Sequence, residues 1–176
     1  LKLFLGNPKT ILKFFQYKIF FDNKDKFHIR KMICPTKSYS PSLNENSLAD
    51  LDSIIKTKVD KKNFFKIDIE GHEYRILDQI KKYSSSMNAL AIEFHDCDLH
   101  SDKIKNFINN FELQLVHIHV NNWALVNSDN SPRVIELIFS TKHFNKKITN
   151  FQKKFPISMD VPNNPLYEDL SIEFND

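Results

Sequence analysis

Phe65-Lys66-Ile67-Asp68-Ile69-Glu70-Gly71-His72-Glu73 is an alternating run that breaks at a glycine and carries its charge at the tip. Side chains alternate across a strand, so Lys66, Asp68 and Glu70 share one face while Phe65, Ile67 and Ile69 share the other. Gly71 permits a sharp exit. The apolar residues Ile76, Leu77, Ile80 and Tyr83 then fall on one helical face, which predicts a helix over 72–83. A strand followed by a helix is half of a βαβ unit, and in open α/β sheets ligands bind beyond the carboxyl ends of the strands.

The same alternation of elements continues outward. Ser47-Leu48-Ala49-Asp50 fits a capping box ahead of a short helix whose stripe is Leu48, Leu51, Ile54 and Ile55. Ala89 to Asp96 reads as a second strand ending in charge, followed by a helix with Ile104, Phe107, Ile108 and Phe111 at i, i+3, i+4 and i+7. Leu113 to Val120 reads as a third strand ending at Asn121-Asn122. Arg133 to Ser140 reads as a fourth, close enough to return antiparallel. Lys26 to Ile33 alternates like a strand, Gly6-Asn7-Pro8 marks a turn, and Pro35 to Asn46 is a loop. Leu170 to Phe174 reads as an edge strand.

The 176 residues, 41% of them apolar, suffice for one core, so a single domain over 1–176 is expected. The formal charge of +3 is small, and the lysines are scattered among acids, which argues against a nucleic-acid partner. Cys34 and Cys97 form no C-x-x-C pair, the pattern of free thiols in a reducing cytoplasm. The most apolar stretch, Ile11 to Phe21, is interrupted by Lys13, Gln16 and Lys18, so it reads as a core helix or strand and not as a membrane span.

Three strands separated by helices predict a parallel sheet with helices on both faces. Such strands are usually apolar on both sides, yet each here has one ionisable side: Lys66, Asp68 and Glu70; Glu93 and His95; His117 and His119. Buried charges must be paired or hydrogen-bonded. Strand-end residues Glu70, His95, Asp96, Asn121 and Asn122 are therefore expected along one rim, facing each other or a ligand. His117 and His119 point the same way, about 7 Å apart at roughly 3.3 Å per residue, and Asp68, Glu93 or Asp96 would complete a metal shell of imidazole and carboxylate.

On Ser47 to Ile55, Lys66 to Glu73, Ile92 to His95, His117 to Asn122, Pro132 to Phe139 with Glu136, and Asp160 to Pro165, the chain resembles the FkbM family of S-adenosylmethionine-dependent methyltransferases over about residues 44–176. The resemblance implies an α/β, Rossmann-like methyltransferase sheet, mostly parallel with a C-terminal antiparallel hairpin. The strands above would be the fourth to seventh of seven. It implies O-methylation of a sugar or surface-polysaccharide precursor in the cytoplasm. Asp68, His95 and His119 would be catalytic, with one of the histidines taking the hydroxyl proton. Glu70, Glu93, Asn121 and Asn122 would bind substrate, and no metal is assigned.

S-adenosylmethionine would be cradled by a glycine-rich turn after a first strand, but the only glycines are Gly6 and Gly71. No cofactor-binding residue is therefore assigned. With the start at Leu1, this leads to the expectation that the first strands are lacking, through truncation or in a shortened, inactive relative. Two other functions fit the same residues: a metal-dependent hydrolase using the His and carboxylate cluster, and a non-catalytic remnant that self-associates through an open sheet edge.

Overall fold

The computed structural model describes residues 8–21, 31–33, 48–58, 63–124, 126–128, 131–141 and 153–174. In chain order the elements are α1 (Pro8–Phe21), β1 (Met32–Ile33), β2 (Leu48–Ala49), α2 (Leu51–Lys58), β3 (Asn63–Ile67), α3 (Leu77–Lys82), β4 (Met87–Phe94), α4 (Cys97–Asn110), β5 (Gln114–Val120), β6 (Ile135–Ser140), β7 (Lys154–Phe155) and β8 (Ile172–Glu173). The main sheet has the order β3-β4-β6-β5. β3 and β4 run parallel, and β6 runs antiparallel to both β4 and β5. The fold is thus mixed α/β around a mixed sheet, with the expected antiparallel pairing of the last two strands. β1 and β2 form a separate parallel pair, and β7 with β8 a separate antiparallel one.

Local chemistry sets several boundaries differently from expectation. Leu48 and Ala49 are strand, and helix α2 is capped by Asp50, whose Oδ1 accepts the Ser53 backbone N–H at 2.7 Å. The helix expected over 72–83 is two pieces, a 3₁₀ turn at Glu73–Arg75 and then α3, joined through Ile76 at φ −114°. α1 is helical, but Leu12, Phe15, Ile19 and Phe20 are exposed, so it is not the core element expected. The strand expected over Lys26 to Ile33 is described only at Met32–Ile33. The turn at Gly6-Asn7, the loop from Pro35 to Asn46, Ser47 and Cys34 lie outside the described residues.

The helices gather on one side. Leu51 and Ile55 of α2, Leu77 and Ile80 of α3, and Ile104 and Phe107 of α4 join Ile67, Leu90, Ile92, Phe94, Leu137 and Phe139 in a single apolar cluster. Phe107 sits at its centre, edge-on to Phe139 at 5.6 Å and stacked on Phe111 at 4.7 Å. Helices on both faces were expected. The opposite face instead carries the ionisable side chains and is met by the 153–174 segment, whose Asp160 and Asp169 bond to β5.

A bulge makes this two-faced arrangement possible in β5. Leu115 and Ile118 both pack on the core although they are three residues apart, which regular alternation forbids. Val116 is the extra residue in the ladder with β6, and it returns Ile118 to the core side. His117 and His119 are thereby turned to the polar side, where they meet their carboxylate partners.

Candidate functional site

The decisive stretch leaves β3 through two residues of positive φ, Glu70 at 54° and Gly71 at 90°. The second suits glycine, while the first carries a strain of roughly 1–2 kcal/mol for an L-residue. Glu73 offsets it. Its Oε1 accepts the backbone N–H of Ile69 at 2.9 Å and of Gly71 at 3.3 Å, and the side chain is fully buried. The sequence pattern gave no sign of this role, since Glu73 looked like one polar residue of a continuous helix.

The same Glu73 oxygen lies 3.2 Å from His95 Nδ1. A carboxylate has only acceptors, so a neutral ring making this contact carries its proton on Nδ1 and leaves Nε2 with a lone pair. Around Nε2 stand Glu70 Oε2 at 3.5 Å, Glu93 Oε1 at 3.7 Å and Asp68 Oδ1 at 4.0 Å. The backbone of His95 is held as well, by the Tyr74 hydroxyl donating to its carbonyl at 2.6 Å. Burial pushes the Tyr74 hydroxyl well above its ordinary pKa, with Cys97 and Glu73 adding to the effect, so it stays a donor.

Glu93 links this corner to the rest of the polar face. It accepts a hydrogen bond from the Asn121 amide at 2.9 Å and faces Lys66 Nζ at 3.6 Å. Lys66 also donates to Glu136, the residue opposite Glu93 on β6. Burial alone would lower the Lys66 pKa. Glu136, with Glu93 and Asp68 behind it, outweighs that and raises it.

Asp68, Glu70, Glu93, His95 and Asn121 are therefore brought together as expected, and Glu73 joins them. His119 is not in this group. It faces Glu136 across the ladder and bonds Asp169 at 2.8 Å, while His117 bonds Asp160 at 2.9 Å. The metal shell that the spacing of these two histidines would permit is not formed; each has one His–Asp pair instead. Asp96 turns aside to Arg133 at 3.4 Å.

Asn122, expected to bind substrate, braces the returning segment from the wall of a cavity. Its Oδ1 accepts the Asn164 N–H at 2.6 Å, and its amide donates to the carbonyls of Asn164, Tyr167 and Glu168. That brace shapes one wall of a cavity of about 560 Å³ bordered by the exposed rings of Trp123 and Tyr167. Asn121 joins the cavity to the cluster, because its Oδ1 accepts the Trp123 N–H while its amide holds Glu93.

Chemically, the cluster presents an oriented imidazole nitrogen among three carboxylates at the strand ends, linked through Asn121 to a cavity with aromatic borders. It is suited to polarising a hydroxyl or water and to holding a cation. No described residue is assigned to a methyl donor of the S-adenosylmethionine type. At Gly71, the one described glycine, an added Cβ would meet no protein atom nearer than Asp96 Oδ2 at 3.9 Å. Comparison with models of known protein families and with curated proteins finds no match to the chain.

Proposed function

We propose that the chain carries the acceptor side of an FkbM-type methyltransferase site, with a sugar hydroxyl of the surface-polysaccharide kind as the acceptor and S-adenosylmethionine as the donor. The observation that carries it is the His95 ring, fixed at Nδ1 by buried Glu73 and opening Nε2 toward Asp68 and Glu93 at the carboxyl ends of β3 and β4. A hydroxyl placed there meets the group that can draw on its proton as the oxygen becomes a nucleophile. Asp68 and exposed Glu70 border the same space, and Asn121 holds Glu93 in place.

Two further features support this reading. β5 and β6 form the antiparallel pair that the family resemblance implies, with β3, β4 and β5 pointing one way. The rings of Trp123 and Tyr167 offer a sugar an apolar surface next to the cluster. No described residue is assigned to the donor, so no step is routed through it, and His95, Asp68 and Glu93 are assigned to the acceptor alone.

The test is incubation with methyl-labelled S-adenosylmethionine and a panel of hexose and deoxyhexose acceptors. Methylated sugar is expected from the parent chain, with a fall of about 10²-fold or more in His95→Ala. Absence of methylated sugar with the parent chain, or unchanged transfer in the variant, overturns the assignment.

A further inference from the structure

We infer that Asp68, Glu93 and His95 form a divalent-cation site, which deepens the acceptor-site reading and supplies its means of activating the hydroxyl. Each residue offers one ligand atom, and the three atoms lie within 4.8 Å of one another. Donors surrounding a cation at about 2.1 Å stand about 3–4.3 Å apart. The separations from His95 Nε2 to Glu93 Oε1, 3.7 Å, and to Asp68 Oδ1, 4.0 Å, fall in that range.

Two independent observations point to a positively charged occupant. Glu73, fully buried, holds the far nitrogen of the imidazole, the arrangement by which metal-ligating histidines are oriented. Its Oε2 is buried without a hydrogen-bond partner among the described residues, on the carboxylate whose other oxygen holds the ring. Charge is also out of balance: Asp68, Glu70, Glu73 and Glu93 all lie within 4.0 Å of a His95 ring nitrogen, while Lys66 is shared between Glu93 and Glu136. Two carboxylates and one imidazole suit a first-row divalent ion such as Mn²⁺. A bound cation would polarise the acceptor oxygen, and with Nε2 then ligated, exposed Glu70 would take over from His95 as the group placed to receive the proton.

The test is titration of the full chain, stripped with a chelator, with MnCl₂ alone, followed by calorimetry and by the loss of free-ion paramagnetic resonance. One saturable site is expected. Asp68→Asn and His95→Ala should each weaken it by about tenfold or more, as should the positioning change Glu73→Gln, while Asp98→Asn, on exposed α4 surface, should not. Asp68 is part-exposed, so its variant reports even if His95→Ala fails to fold. Absence of saturable binding, as when a proton on Nε2 is the sole occupant, overturns the inference. So does Mn²⁺ binding that Asp68→Asn leaves unchanged. Mn²⁺ binding without sugar methylation removes only the functional reading, whereas methylation that persists in chelator removes only the cation.

Discussion

On one face of the main sheet Ile67, Leu90, Ile92, Phe94, Leu137 and Phe139 disappear beneath α2, α3 and α4; on the other, Lys66, Glu93 and Glu136 stand in neighbouring positions of the same strands, joined by ion pairs through Lys66. The first face contributes stability through the apolar area it removes from water, roughly 25 cal/mol per Å². The second contributes geometry, because desolvation of its charges cancels much of their attraction. Stability and site are therefore separable, although they alternate residue by residue along β4.

That contrast can be broken most severely from the apolar side. Phe107→Ala empties the centre of the cluster and should lower the unfolding free energy by about 3–5 kcal/mol in urea denaturation. A loss below 1 kcal/mol would mean that the face does not pack as described.

Alkaline pH should act next, and more gradually. Burial raises the Cys97 thiol from 9.0 to about 12 and raises Tyr74 from 10.0. In each case the unfolded chain releases its proton at lower pH than the folded one, so stability is fully present below about pH 9 and declines as pH rises toward 12. Lys66 acts in the same direction: its raised folded pKa contributes stability below 10.5 that is lost as pH passes through the folded value. Melting temperatures measured across this range should fall, and Cys97→Ala should shift the onset upward. An unaltered profile in that variant would remove Cys97 from the account.

The smallest effect belongs to the polar face. Lys66→Met leaves Glu93 and Glu136 opposed across the ladder, and should cost about 1 kcal/mol because Lys66 is half-exposed. Adding Glu136→Gln should recover most of it. A Lys66→Met loss as large as that of Phe107→Ala would erase the distinction between the two faces.

Much of the architecture was legible where burial follows period. Ile104, Phe107, Ile108 and Phe111 marked α4, and the run from Ala89 to Phe94 marked β4, because each buries one face against the same core. Asp68, His95 and Asn121 were legible because strand ends converge. Three features were not. Val116 looks like any strand residue, and only the ladder shows that it is the extra one. Glu73 answers a need of the backbone, two N–H groups turned inward by positive φ, which no hydrophobic pattern encodes. Asp160 and Asp169, more than 40 residues from the histidines they hold, depend on how the chain returns, and so does the bracing of that return by Asn122.

The most direct measurement is the tautomer of the neutral His95 ring, read from long-range ¹⁵N–¹H correlations on the parent chain and on Glu73→Gln at the alkaline end of a pH series. The account predicts a proton on Nδ1 and a bare Nε2 in the parent, with that preference lost when the Glu73 carboxylate becomes an amide. A proton resident on Nε2 in the parent, or a tautomer unchanged in the variant, would contradict it.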